Sequence, residues 1–523
     1  MMRFRTSHSV GALLLLLVAR GAPSAGSPAS GTLARPRLEG SASGRLREPQ
    51  AEFGRRQATS GEQLLKLLVS DGIEYHKFGK SVAVSSDGAR VVVGAGYYDD
   101  QGTNSGSAYV LDGATGEMLL KLVASDAASL DRFGTSVAVS SDGARVVVGA
   151  WGDDDQGSNS GSAYVLDGTT GERLLKLVAS DGAAGDCFGT SVAVSSDGAR
   201  VVVGAYYDDD QGPQSGSAYV LDGTTGERLL KLVVSDGAAG DFFGTSVAVS
   251  SDGARVVVGA SWDDDQGSNS GSAYVLDGAT GERLLKLVAS DGAAGDYFGT
   301  SVAVSSDGAR VVVGARGDDD QGSNSGSAYV LDGTTGERLL KLVASDGAVG
   351  DNFGFSVAVS SDGARVVVGA WGDDDSSGSA YVLDGATGER LLKLVASDGA
   401  RYEKFGNSVA VSSDGARVVV GAYYGDDQGT QSGSAYVFDG TIVTTETATS
   451  SATSSTTTTI KTTTETTTET TTATTTETAT TTTDTGTSSD TSNTTATTEP
   501  WGLIAVFAGV LIFFIHNAEV EVN

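Results

Sequence analysis

From residue 61 to residue 440 the chain alternates short apolar runs with clusters of Gly, Asp and Ser, and the same order of runs returns seven times. Each unit reads FGxSVAVSSDGARVVVGA, then an acidic stretch, then SGSAYVLDGxTGExLLKLVASDG. Four runs have strand length and none carries the period of a helix. Each unit therefore predicts four strands: a (SVAVS), b (RVVVGA), c (SAYVLD) and d (LLKLVAS). Between a and b, SSDG is a short hairpin whose Asp-Gly pair supplies positive φ angles, and the DG-rich turn between c and d makes a second. Antiparallel four-stranded units follow.

The spacing shows how the units assemble. Phe-Gly pairs begin at Phe78, Phe133, Phe188, Phe243, Phe298, Phe353 and Phe405, 55 residues apart five times and 52 once. Such regularity means tandem copies of one structural unit. The LLKL run also occurs seven times, at Leu64, Leu119, Leu174, Leu229, Leu284, Leu339 and Leu391, so one copy precedes the first strand a and none follows the last strand c. Residues 64–70 are thus expected to complete the last unit, closing an all-β, seven-bladed β-propeller by pairing the N-terminal strand with the C-terminal blade. An open array would leave that edge unpaired. A β-solenoid would stack the same units without explaining the missing terminal strand.

Composition adds detail at the two ends. Residues 1–21 read as a signal peptide, with Arg3 and Arg5 ahead of the apolar run 10–19. The Arg-rich stretch 33–56 leaves an organelle transit peptide as the alternative. Residues 22–60 form a low-complexity Arg/Ser/Gly-rich linker. Residues 441–500 are almost all Thr, Ser, Ala and Glu and read as a disordered, glycosylated, mucin-like stalk, with Asn493 as an N-glycosylation acceptor. Residues 501–516 carry an apolar run expected to be a C-terminal hydrophobic helix: a single-pass transmembrane anchor, or else a GPI signal, followed by the polar tail 517–523. Together these segments predict passage through the secretory pathway to the cell surface. The lone Cys187 cannot form an intramolecular disulfide, so closure rests on backbone pairing.

The seven-fold conjunction of FGxSVAV, VVVGA and GSAYV resembles the FG-GAP repeat, the unit of the integrin α-subunit propeller. The YVLDGTTGERLLKL half also resembles quinoprotein-type propeller repeats, which lack the FG and GA pairs. Both resemblances imply a propeller, and the first implies extracellular recognition. FG-GAP repeats that bind Ca²⁺ carry a D-x-D-x-D-G loop between their first two strands. Here that place holds SSDG, and a single carboxylate such as Asp87 or Asp142 supplies too few oxygens.

In a propeller the a–b and c–d turns emerge on one face, and the b–c and d–a connections on the other. The a–b hairpin is SSDG in all seven units and the c–d turn varies little. The b–c loops instead open on Tyr97 and Tyr98, Trp151, Tyr206 and Tyr207, Trp262, Arg316, Trp371, and Tyr423 and Tyr424. The d–a loops differ at 74–77, 130–132, Cys187, Phe242, Tyr297, Asn352 and 401–404, and Lys80, Phe355 and Asn407 replace the usual Thr after FG. Aromatic side chains on a rigid scaffold suit an interface or a sugar surface, so these b–c residues are the candidate ligand-binding set. Packing between blades is the structural alternative.

Behind them run the acids Asp99, Asp100, Asp153, Asp154, Asp155, Asp208, Asp209, Asp210, Asp263, Asp264, Asp265, Asp318, Asp319, Asp320, Asp373, Asp374, Asp375, Asp426 and Asp427. They are candidate Ca²⁺ ligands, with solvated acidic turns as the alternative. Ca²⁺ is the one candidate cofactor. A net charge of −31 argues against nucleic acid or anionic lipid as the main partner and leaves cations, basic proteins and neutral glycans. Catalysis has little to work with, since His76 is the only histidine in the repeats. The expectation is a non-enzymatic surface recognition or adhesion protein that binds an extracellular protein or glycan, with a heteromeric partner subunit left open. The alternative is an acidic wall or matrix protein that binds Ca²⁺ collectively, and a glycan-active enzyme comes last.

Overall fold

The structure, a computed structural model, describes residues 61–69 and 74–442. The expected leader, linker, stalk, Asn493 and C-terminal apolar segment lie outside the described residues. Among the described residues no helix is long and apolar enough to cross a membrane.

Seven four-stranded antiparallel sheets form the blades, each with strands in the order a-b-c-d. Blade 2 is representative: Ser136–Val139 (a), Arg145–Ala150 (b), Ser162–Asp167 (c) and Arg173–Leu177 (d). Blade 7 takes Phe405–Val411, Arg417–Ala422 and Ser434–Asp439 from the end of the repeats and Gln63–Leu67 from their beginning. Leu65 pairs with Val437 and Leu67 with Ala435. The Asp439 N–H donates to the Glu62 carbonyl at 2.9 Å, as Asp167 N–H does to Glu172 within blade 2. The closing strand is therefore an ordinary strand d supplied from the other end of the chain.

The middle strands b and c of each sheet are buried on both faces, which is why strand b reads VVV rather than alternating with polar residues. Alternate side chains of one strand serve two different cores. Val92, Ala108 and Val110 of blade 1 pack with Val146, Val148, Ala150 and Tyr164 of blade 2, around the fully buried Phe133. Phe133 and Tyr164 meet edge to face at 5.3 Å. The paired glycines mark where adjacent backbones touch. A Cβ on Gly149, the Gly of GA in blade 2, would lie 1.9 Å from the carbonyl oxygen of Gly189, the Gly of FG in blade 3.

Strands a line the central channel, with rings of Val, Ala and Val along most of its length. On one face the seven SSDG hairpins join in a closed ring: Ser86 N–H donates to Ser141 O, Ser141 to Ser196, and so on until Ser413 returns to Ser86, at 3.0 to 3.1 Å. On the other face each b–c loop is zipped to the next d–a loop. There Gly185, Cys187 and Phe188 N–H groups donate to the carbonyls of Ser158, Asn159 and Ser160 at 2.9 to 3.0 Å.

Candidate recognition face

The zipped face carries two concentric zones. Nearer the channel, the two residues after each GA pair meet the residue that precedes the next FG. From blade 3 to blade 5 the contact is aromatic. Tyr206 and Tyr207 lie 4.0 Å apart, Tyr207 meets Phe242 at 5.2 Å, Phe242 meets Trp262 at 4.9 Å, and Trp262 meets Tyr297 at 5.8 Å. The Arg316 guanidinium then lies 4.2 Å over the Tyr297 ring. From blade 6 to blade 2 aromatic rings alternate with cations. Lys404 sits 3.7 Å from Trp371 and 5.3 Å from Tyr424; Lys77 sits 5.3 Å from Tyr424 and 3.9 Å from Tyr97. Arg132 sits 5.0 Å from Tyr97 and 4.5 Å from Trp151, and donates to the Tyr97 hydroxyl at 3.1 Å. Lys80, on the channel wall, lies 4.9 Å over Tyr423.

These side chains thus touch across blade boundaries and still face solvent: Trp262 is 41 % exposed, and Trp151, Trp371, Tyr97, Tyr206, Tyr207, Tyr423 and Tyr424 are half-buried. Tyr98 lies apart from them. It occupies the position of Asp153 in the repeat, is 7 % exposed, and stacks on the buried His76 at 3.8 Å.

The residues before FG were visible in the sequence as variable but not as a set. Lys77, Arg132, Cys187, Phe242, Tyr297, Asn352 and Lys404 all have φ between 55° and 59°. That left-handed region costs an ordinary L-residue roughly 1–2 kcal/mol relative to the right-handed one. The b–c loop makes the same demand at Asn104, Asn159, Gln214, Asn269, Asn324 and Gln431, and meets it with amides, four of them the Asn that tolerates this region best. Before FG, only blade 6 uses Asn. The other six carry side chains that the backbone disfavours: Lys77, Arg132, Phe242, Tyr297 and Lys404 join the rings of this inner zone, the collar, and Cys187 is buried.

The outer zone contains the acids. In blade 2, Lys176 of strand d is held by Asp126 from the preceding d–a loop at 3.1 Å, and by Asp153 at 3.0 Å and Asp155 at 2.5 Å from its own b–c loop. Asp153 also accepts the Tyr164 hydroxyl at 2.9 Å, and Asp154 accepts the Asn159 N–H at 2.6 Å. Burial works against the charge on Lys176, yet Asp155, Asp153 and Asp126 outweigh it and push its pKa up. The pattern recurs with Lys231 on Asp181, Asp208 and Asp210, Lys286 on Asp236, Asp263 and Asp265, and Lys341 on Asp291, Asp318 and Asp320. In blade 6 Lys393 takes Asp346, Asp373 and Asp374; the ends of the ring use Lys121 with Asp100, and Lys66 with Asp398 and Asp427. Asp209, Asp264, Asp319 and Asp426 brace their loops as Asp154 does, Asp99 does so through Asn104 N–H, and Asp375 pairs with Arg401.

An ammonium therefore stands where carboxylates of two blades converge. Among the described residues no group of three or more His, Cys, Asp or Glu is arranged to hold a metal ion. On the hairpin face Asp142 accepts from the Ser140 hydroxyl at 2.6 Å and the Ala144 N–H at 2.9 Å, which hold its carboxyl below the usual range. The lysine in LLKL was the sequence signal for the outer ring, a single charge in an otherwise apolar strand.

A family model described as FG-GAP repeat matches residues 62–111, 119–166, 173–221, 228–276, 283–331, 338–383 and 390–438. Each matched stretch begins at strand d and ends in strand c, the phase in which the chain itself is cut. No curated protein matches the chain.

Proposed function

The chain belongs to the FG-GAP repeat family, and from that premise we propose that it is a non-enzymatic recognition protein that binds an extracellular protein or glycan through the aromatic collar. One observation carries the reading. Six of the seven residues before FG accept a disfavoured backbone conformation with a side chain other than Asn, and four of them, Lys77, Arg132, Tyr297 and Lys404, stay half-exposed at the collar, while Cys187 and Phe242 are buried beneath it. Strain retained at one ring of positions, with a different side chain at nearly every position, fits a surface selected for contact. His76 supports no catalytic role, since it is 1 % exposed beneath Tyr98. In this reading the leader at 1–21 sends the chain to the cell surface, and the stalk and apolar segment tether it there.

The test is a triple substitution of Trp151, Trp262 and Trp371 to Ala, with the full chain screened on glycan arrays and against surface proteins. Loss of a ligand captured by the parent, with an unchanged far-UV spectrum, is the expected outcome. Undiminished capture would place the binding surface elsewhere.

A further inference from the structure

Four cations gather in one sector of the collar, where blades 7, 1 and 2 meet through the closure. Lys77, Lys80, Arg132 and Lys404 are each held by aromatic rings. Among the described residues none of them forms an ion pair with a carboxylate, although the strand-d lysine of every blade does. Ring faces attract a cation without neutralising it. Burial and the neighbouring Lys77 and Lys404 push the Lys80 pKa down to about 8. A chain of net charge −31 has acids to spare for these positions and places none there. The missing counter-charge is one that arrives from outside.

The surroundings narrow its chemistry. Below the cations the channel mouth is a cavity of about 310 Å³ walled by Lys80, Phe355, Asn407, four Thr and complete rings of Ser and Val, within the size range of small-ligand sites. Most of those hydroxyl protons are already spent: Thr190 donates to Cys187 O at 2.9 Å and Ser191 to Gly244 O at 2.9 Å, with the Thr bond repeated at Thr135, Thr245 and Thr300 and the Ser bond at six of the seven blades. The mouth therefore presents lone pairs, which suit a ligand rich in hydroxyl donors. Aromatic rings beside it suit the apolar face of a sugar. An acidic peptide would satisfy the cations and leave the acceptor ring unused. A long polyanion would meet the negative charge of the whole chain.

We propose that this sector is a subsite for a short glycan bearing one acidic sugar, sulfated or carboxylated, with Lys77, Lys80, Arg132 and Lys404 holding the acidic group and the rings and hydroxyls holding the sugar. The proposal rests on the collar being the recognition surface, and it names the chemistry recognised there. It also refines the charge argument from composition, because the net charge of the chain is opposite to the local charge of this sector.

The full chain is titrated, by tryptophan fluorescence and calorimetry, with galactose 6-sulfate, glucuronic acid, galactose, inorganic sulfate and a phosphoserine peptide. The acidic sugars are expected to bind at least about tenfold more tightly than galactose or sulfate alone, with affinity falling as salt rises. Lys77→Asn with Lys404→Asn is expected to weaken that binding at least about tenfold, the scale of a lost charge-assisted contact. The melting temperature should not drop, because Asn suits the left-handed backbone at both positions. Equal binding of galactose and its sulfate, indifference to the double substitution, or preference for the phosphoserine peptide would each overturn the subsite. A ligand that needs Trp151, Trp262 and Trp371 but ignores Lys77 and Lys404 would leave the recognition face standing and remove the anion subsite alone.

Discussion

The two faces of the propeller are built from the same seven repeats, and they differ in what each loop must satisfy. On the hairpin face every SSDG closes on itself through Asp and on its neighbour through the second Ser, so that Ser86, Ser141, Ser196, Ser251, Ser306, Ser361 and Ser413 form one ring of backbone hydrogen bonds. Each residue of that hairpin has a structural task and the repeats are identical there. On the zipped face the structural tasks fall to the backbone carbonyls of the b–c loop and to the lysine-centred outer ring. The half-exposed collar residues are not needed for those tasks, and before FG six of seven blades carry a side chain that the backbone disfavours. Sameness on one face and difference on the other thus have one cause: side chains diverge only where backbone and outer salt bridges already hold the blades together.

The sharpest way to break that division is to attack the scaffold on the variable face. Lys176→Gln leaves the buried Asp153 without its counter-charge and should cost about 3 kcal/mol, the scale for removing one partner of a buried ion pair, measured by urea unfolding. The three carboxylates freed in this way, Asp126, Asp153 and Asp155, would then resemble a cation cage. Millimolar Ca²⁺ is expected to raise the melting temperature of the variant and leave the parent unchanged. A parent stabilised by Ca²⁺ would show that the ammonium does not fill the site.

The hairpin face should respond to geometry rather than charge. Gly198 has φ +71°, and a Cβ there would lie 2.7 Å from Cγ of Arg145 in the preceding blade. Gly198→Val should cost about 2 kcal/mol, within the range for a residue forced into a sparsely populated conformation, and leave ligand binding unchanged once the protein is folded. Loss of binding in a folded Gly198→Val protein would mean that the two faces are coupled.

Blade number, strand order, closure and the separation of faces could all be read from the sequence, because tandem identity turns each repeat into a control for the others. The missing LLKL after the last strand c specified the closing strand without any knowledge of its partner. What could not be read depends on contacts between blades. Lys176 appears in sequence as a polar break in strand d, 21 to 23 residues beyond Asp153 and Asp155 and 50 beyond Asp126, and only the blade geometry joins them. Lys77 and Lys404 are 327 residues apart and meet the same Tyr424 only because the chain closes. Tyr98 looked like its neighbour Tyr97, yet one register step places it in the slot of a buried acid, beside a His76 that replaces the equivalent of Asp131.

The smallest effect probes the cost of the cationic sector itself. The Lys80 pKa is depressed to about 8 from an ordinary 10.5 by burial, Lys77 and Lys404. Above pH 8 the folded protein releases this proton while the unfolded chain keeps it. The unfolded state then binds more protons, and stability rises with pH. Below pH 8 both states are charged and the cost is fully present. The Cys187 thiol, pushed up to about 12 by burial, works in the opposite sense once the unfolded thiol ionises near 9. The window for Lys80 is therefore about pH 8 to 9. Unfolding free energies from denaturant titrations across it should rise for the parent by less than about 1 kcal/mol, the scale of a single pKa unit or less, and should rise less for Lys80→Thr, which restores the residue of Thr135, Thr190, Thr245 and Thr300. Identical slopes in the two proteins would show that Lys80 is not held in a strained charged state, and the cationic sector would then cost the fold nothing.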